Sequence, residues 1–117
     1  MVAKTINGTP VVGHVVPDYK RAIAIPGVTA TGTITYTAPD DGYIFVAGYG
    51  SGTNGLVFLR TYGGVSNNIA SISTANASAA SKWVSAQLPV KKGTSVHIET
   101  NGLNTQLSAT FVPMCVN

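Results

Sequence analysis

Hydrophobic and polar residues alternate with a period of two along most of this 117-residue chain. Such alternation is typical of strands that bury one face, and short clusters of Gly, Pro and Asn separate the alternating runs. Residues 31–37, 83–90 and 95–100 are the clearest examples, each with its larger apolar side chains on one face. The pattern predicts an all-β protein, specifically a jelly-roll sandwich of about eight to ten antiparallel strands.

Two runs, residues 43–49 and 56–62, carry large apolar side chains on both faces. One face of a sandwich sheet packs on its partner sheet, whereas the other normally meets water and is polar. A monomer would therefore expose large apolar groups, and an oligomer of cyclic symmetry would cover them. A closed barrel, whose terminal strands cover the same face, is the competing interpretation. We expect a subunit interface formed by the outward aromatic side chains of these runs, namely Tyr43, Phe45, Tyr49 and Phe58.

Arg60 is the only charged residue within the second of these runs. A charge on a face that becomes buried needs a carboxylate or a carbonyl as its partner. We therefore include Arg60 in the predicted interface and expect its partner to lie in a neighbouring subunit.

Turn-forming residues divide the chain further. Residues 1–10 are predicted to form an N-terminal arm or attachment segment, and residues 11–117 a single domain. Within that domain, strands are predicted over residues 11–16 and 19–25, separated by a turn at Pro17 and Asp18.

Three later segments carry strong turn signals. The Gly-rich segment 50–55 and the pair Asn101-Gly102 predict hairpins. Residues 38–42 predict a turn in which Gly42 adopts a positive φ. Residues 91–93, Lys-Lys-Gly, predict another turn.

The chain carries little charge. Charged residues make up 9% of it, and the net charge is +3. Apart from the pairs Lys20-Arg21 and Lys91-Lys92 the cations are scattered, whereas a nucleic-acid-binding protein normally shows a basic stripe. We therefore expect no nucleic-acid partner. No secretory leader and no membrane-spanning run is recognised in the sequence, so synthesis in a cytoplasm without membrane insertion is expected.

Candidate chemistry is sparse. The carboxylates and imidazoles are Asp18, Asp40, Asp41, Glu99, His14 and His97. Asp40 and Asp41 fit ordinary turn chemistry better than a cation site, and His97 and Glu99 lie on one strand face, where a surface ion pair is expected. Cys115 is the only cysteine, which excludes an internal disulfide. We expect no enzyme activity, no cofactor and no metal.

Trp83, preceded by Lys82, allows two interpretations. A lone tryptophan most often anchors a core or an interface. Its ring can also stack on a sugar, and Lys82 and Trp83 are therefore retained as candidate ligand-binding residues.

Two segments carry a family resemblance. The first is residues 36–44, Tyr-Thr-Ala-Pro-Asp-Asp-Gly-Tyr-Ile, and the second is residues 88–98, Leu-Pro-Val-Lys-Lys-Gly-Thr-Ser-Val-His-Ile. Together with the closing apolar strand they resemble the C1q/TNF-like jelly roll. The matching positions are Pro39, Gly42, Tyr43, Gly93 and Val96. The chain departs from the family at Thr94, where an Asp is usual.

The chain is also similar to small bacteriophage fibre and appendage proteins, and residues 16–20, Val-Pro-Asp-Tyr-Lys, resemble the entry to their receptor-binding heads. These resemblances imply a homotrimeric structural protein of the virion that contacts other virion proteins. They also imply that its outer loops bind a host receptor or glycan, without catalysis. A free-standing bacterial carbohydrate-binding or adhesive module is the alternative.

Overall fold

The computed structural model describes most of the chain, namely residues 3–6, 9–12, 15–50, 55–63, 66–75, 82–103 and 107–116. Within these ranges the regular elements are eleven β-strands and one turn of 3₁₀ helix. All strand pairings in these ranges are antiparallel. The all-β prediction is therefore confirmed.

Nine strands form two antiparallel sheets that pack as a sandwich. The chain begins with a separate hairpin of β1 (Ala3–Ile6) and β2 (Thr9–Val12), which pair with each other. The β6 sheet contains, in spatial order, β3 (Val15–Pro17), β11 (Ser108–Val116), β6 (Gly42–Tyr49) and β9 (Trp83–Val90), and β4 (Ile23–Ala24) also pairs with β11. The β7 sheet contains β5 (Gly32–Thr37), β10 (Ser95–Asn101), β7 (Gly55–Gly63) and β8 (Ser66–Ala75).

The core lies between the two sheets. The inward faces of residues 83–90 and 95–100 are confirmed, because Val84, Leu88, Val96 and Ile98 are buried. In residues 31–37 the inward side chains Ile34 and Tyr36 are half-buried against the same core. Burying an aliphatic side chain of this size stabilises the fold by about 1.5–3 kcal/mol. The largest fully buried side chains are Phe111, Ile44, Leu59, Ile98, Val46, Val57, Val84 and Val96.

The sheets meet along one side, where β8 lies beside β9. The backbone N–H of Ser85 donates a hydrogen bond to the Oγ of Ser73 there, at 3.3 Å. The two sheets therefore curl toward each other as half of a barrel. The other side stays unjoined among the strands described, because β5 pairs with β10 and β4 pairs with β11.

From β5 onward the chain crosses between the sheets at nearly every step. Among the described strands of the sandwich, only β7 and β8 are neighbours both in sequence and in a sheet. The hairpins predicted at residues 50–55 and at Asn101-Gly102 are therefore wrong, since β6 and β7, like β10 and β11, belong to different sheets. Gly102 does adopt a positive φ of 65°. The chain therefore turns at this position, but β10 does not pair with β11, the next strand in the sequence.

The predicted strand over residues 19–25 is wrong for its first half. Residues Tyr19–Arg21 form a 3₁₀ turn instead, and the strand is limited to Ile23–Ala24. The Arg21 backbone N–H donates to the Asp18 carbonyl at 3.1 Å, and the Arg21 Nε donates to the Asp18 carboxylate at 2.7 Å. These two bonds join Arg21 to a residue three positions earlier and stabilise a turn, which overrides the β propensity of the segment.

Two smaller predictions also need correction. The strand predicted over residues 11–16 is divided, because β2 ends at Val12 and pairs with β1 while β3 begins at Val15 and pairs with β11. Gly42 is not among the described glycines with positive φ. A glycine is required there by space, since a Cβ atom would collide with the carbonyl oxygen of Val112 and lie 2.8 Å from the ring of Phe111.

Candidate functional site

The outer face of the β6 sheet gathers aromatic side chains. Tyr43, Phe45 and Tyr49 alternate along β6 and are half-buried, because they point away from the core that Ile44 and Val46 enter. Tyr49 is directly opposite Trp83 of β9. Their rings meet edge to face, with centroids 5.0 Å apart and an interplanar angle of 72°. We call the surface formed by Tyr43, Phe45, Tyr49 and Trp83 the aromatic face.

Polar groups on the aromatic face are uncharged. None of the five strands of the β6 sheet contains Asp, Glu, Lys, Arg or His. Trp83 has 52% of its surface exposed. An apolar surface this free of charge resembles the buried centre of a protein–protein interface, where charged residues are depleted and aromatic residues are enriched.

Tyr19 extends the aromatic face at one end. It lies on the 3₁₀ turn that packs against β11. Burial raises the pKa of the Tyr43 phenol above its usual 10.0, and the neighbouring phenol of Tyr19 raises it further. Tyr19 is therefore a neighbour of Tyr43, which the extended conformation expected for residues 19–25 did not predict.

The outer face of the β7 sheet is different, because it carries the charged strand residues of the sandwich. These are Arg60 on β7 and Glu99 on β10, with His97 directly opposite Arg60. Glu99 lies directly opposite Phe58. The guanidinium carbon of Arg60 lies 5.8 Å from the centroid of the Phe58 ring, which is within reach of a cation–π contact.

A second group of contacts surrounds His97. Its Nδ1 atom and the Oγ1 of Thr35 are joined by a hydrogen bond of 3.2 Å. The ring of Tyr62 meets the imidazole edge to face at 6.0 Å and 85°. We call the surface formed by Thr35, Arg60, Tyr62, His97 and Glu99 the charged face.

The structure separates the residues predicted to form one interface. Tyr43, Phe45 and Tyr49 lie together on the aromatic face, whereas Phe58 and Arg60 lie on the outside of the opposite sheet. The sequence could not distinguish these arrangements, because the two-faced pattern of each run shows that both faces are apolar without showing which sheet the run joins.

Trp83 and Lys82 are divided in a similar way. Trp83 joins the aromatic face, whereas Lys82 is exposed and accepts a hydrogen bond from the Gly50 backbone N–H through its carbonyl, at 2.8 Å. No ion pair joins His97 to Glu99. In the part of the chain that the structure describes, the ion pair formed is Arg21 with Asp18.

Tyr62 and Thr35 were missed as candidate residues. Tyr62 continues the period-two series of Phe58 and Arg60, so its position on the same face could have been read from the sequence. Thr35 could not, since its contact with His97 depends on the pairing of β5 with β10.

The remaining features offer little for chemistry. No group of three His, Cys, Asp or Glu side chains comes together among the described residues. A groove of about 560 Å³ beside β4 and the start of β11 is lined by uncharged side chains, including Ile25, Val28 and Leu107. Cys115 is half-buried and unpaired with another cysteine. Among the described elements, no helix has both the length and the apolar character that a membrane crossing requires.

No protein-family model matches the chain, and no curated protein matches it.

Proposed function

We propose that this chain is a non-enzymatic structural protein of a bacteriophage virion, a trimeric fibre, head-fibre or appendage domain that also binds a host receptor or glycan. Its subunits would meet through the aromatic face. One observation carries the proposal. The outward face of a sandwich sheet is normally polar, whereas the strands of the β6 sheet contain no charged residue and their outer face presents Tyr43, Phe45, Tyr49 and Trp83.

The order of the strands supports a jelly roll of the C1q/TNF-like kind. The spatial orders β5-β10-β7-β8 and β3-β11-β6-β9 place non-consecutive strands side by side in both sheets. A jelly roll is a double-sheet sandwich built from two Greek keys, in which the chain repeatedly crosses from one sheet to the other. The resemblance of residues 36–44 and 88–98 to that family points the same way and suggests the trimer.

Covering the aromatic face would provide the energy for assembly. Each Å² of apolar surface removed from water contributes about 25 cal/mol, and aromatic side chains offer large areas with few rotatable bonds. Tyr43 and Phe45 sit near the middle of the β6 sheet, between β9 and β11. They are placed where the central contacts of an interface contribute most to binding.

The β1–β2 hairpin supports attachment to another virion protein. Its strands form a sheet of their own, separate from the sandwich. A single two-stranded hairpin is marginally stable in water, and it becomes stable when it packs on something else. The hairpin, Ala3–Ile6 and Thr9–Val12, overlaps the predicted attachment arm of residues 1–10.

A free-standing carbohydrate-binding module is the second candidate. The exposed Trp83 ring, held by Tyr49, favours it, because such a ring can stack on a sugar. The two proposals differ in what covers the aromatic face: another subunit in the first and a ligand in the second.

The mass in solution tests the proposal. Light scattering on a sizing column is expected to give three times the chain mass of 12.0 kDa. A monomer at every concentration would contradict the trimer and favour the carbohydrate-binding module, in which case Trp83→Ala should abolish sugar-dependent stabilisation.

A further inference from the structure

The charged face collects groups that are scarce elsewhere in this protein. The whole chain has seven Lys and Arg, four Asp and Glu and two His. Arg60, His97 and Glu99 nevertheless lie on adjacent positions of β7 and β10, all on one side of the sheet. Core packing does not require them there, because the inward positions of the same strands hold Val57, Leu59, Val96 and Ile98.

Two of these groups have no ion-pair partner among the described residues. Arg60 and Glu99 are diagonal neighbours, yet neither forms an ion pair with another described residue. Arg60 is half-buried and lies near the Phe58 ring. No other described residue forms a hydrogen bond with its guanidinium N–H donors or with the Glu99 carboxylate oxygens, and both side chains lie next to Phe58.

His97 and Tyr62 are held in place. The hydrogen bond with Thr35 engages Nδ1 and fixes the plane of the imidazole, which leaves Nε2 for another partner. Tyr62 packs its ring edge to face with that imidazole, although 65% of its surface is exposed. A ring and an imidazole oriented before binding lose little conformational freedom when a ligand arrives.

An apolar strip borders these groups. Ile72 of β8 lies directly opposite Phe58 and has 59% of its surface exposed. The charged face thus combines hydrogen-bond donors, hydrogen-bond acceptors, an exposed aromatic ring and exposed aliphatic surface on three adjacent strands.

We propose that the charged face binds a saccharide. A sugar ring has hydroxyl groups around its edge that both donate and accept, and an apolar face of C–H groups. Arg60 would donate to ring or hydroxyl oxygens, Glu99 would accept from hydroxyl groups, and Tyr62 would contact the apolar face of the ring. The mixed charge fits a hydroxylated ligand better than nucleic acid, whose phosphates call for a cluster of cations without a carboxylate among them.

This inference deepens the receptor-binding part of the proposed function, but it does not depend on the trimer. The charged face and the aromatic face lie on opposite sides of the sandwich. Assembly through the aromatic face would leave the charged face open to solvent, so one subunit or three could bind sugar.

The test begins with a printed array of neutral and carboxylated oligosaccharides and purified bacterial surface polysaccharides, probed with the full chain. The strongest member is then titrated by calorimetry against the full chain and its variants. We expect Tyr62→Ala to weaken binding about tenfold, from loss of the ring contact. Arg60→Met, which keeps the aliphatic length near Phe58, should also weaken it about tenfold, from loss of charge-assisted hydrogen bonds.

The matched control is Ile23→Ala, which shortens an exposed side chain on β4 of the opposite sheet. It should leave the affinity unchanged, and Tyr62→Ala should leave the mass in solution and the thermal midpoint unchanged. The proposal is overturned if no array member is retained, or if binding depends on Trp83 rather than on Tyr62. It is also overturned if Tyr62→Ala lowers the mass, because the charged face would then be a contact between copies of the chain.

Discussion

The two outer faces of this sandwich are built on strands with the same alternation and bury the same kind of core, yet they differ in chemistry. The outer face of the β6 sheet has aromatic rings and no charged strand residue. The outer face of the β7 sheet has an arginine, a glutamate and a histidine among its aromatic and aliphatic groups. The core constrains only the inward positions, so the difference between the outward positions needs another cause. We propose that one face contacts another subunit and the other a hydrated ligand.

The largest expected effect comes from placing a charge on each face in turn. Phe45→Lys puts a cation at the centre of the aromatic face, where an interface would bury it without a partner. We expect the oligomer to dissociate to chains of 12.0 kDa. Light scattering at equal protein concentrations measures this.

The matched control is Phe58→Lys, an aromatic residue that is also half-buried and lies at the centre of the other sheet. We expect this variant to keep the oligomeric mass. Equal masses for the two variants, whether both dissociate or both stay assembled, would show that the faces do not differ in the way proposed.

An intermediate effect is expected from Gly42→Ala. The added methyl group would meet the Val112 carbonyl and the Phe111 ring, so β6 would have to move away from β11. Overpacking of this kind costs about 1–3 kcal/mol. Urea unfolding at a fixed protein concentration measures the loss of unfolding free energy.

Gly93→Ala serves as the comparison, at the turn that leads into β10 of the other sheet. A Cβ atom there meets nothing within 4 Å, and only the positive φ of 87° opposes it. We expect a loss of about 1 kcal/mol. A smaller loss at Gly42 than at Gly93 would contradict the close approach of β6 and β11.

The smallest effect concerns alkaline pH. Burial and the Tyr19 phenol raise the pKa of Tyr43 above 10.0 in the folded protein. The folded state therefore holds this proton more tightly than the unfolded state, so the stabilisation is complete below pH 10 and is lost as the pH rises through the folded pKa. We expect the free energy of unfolding to fall above pH 10.

Tyr43→Phe removes the titrating group and keeps the ring. The decrease in stability above pH 10 should become shallower in this variant when urea unfolding is repeated across the pH range. An unchanged slope would mean that the Tyr43 phenol is not perturbed by its surroundings.

The sequence predicts which face of a strand is buried better than it predicts which strands pair. The alternation in residues 31–37, 83–90 and 95–100 correctly separated inward from outward side chains, because the period of a strand is a local property. Which strands pair is decided by the whole core. The turn signal of Asn101-Gly102 is local and predicts a hairpin, but it does not decide which strands pair. In the structure β10 and β11 belong to different sheets.

The candidate site illustrates the same limit. The aromatic character of Tyr43, Phe45 and Phe58 was visible in the sequence, but their division between two sheets was not. The 3₁₀ turn at Tyr19–Arg21 depends on the Asp18–Arg21 ion pair and on the bond from Arg21 to the Met114 carbonyl. The second of these is a contact with a strand far away in the sequence, which no local pattern records.

The position of β11 has a consequence for how the domain is made. This strand follows β3, β4, β6 and β9 in the sequence, yet it lies between β6 on one side and β3 and β4 on the other. Before β11 has been synthesised, β6 and β9 can pair, but nothing joins them to β3 and β4. Pairings this distant along the chain form slowly because long loops must close first. The β6 sheet would therefore remain incomplete on the ribosome until β11 has emerged and folded into its place between β6 and β3.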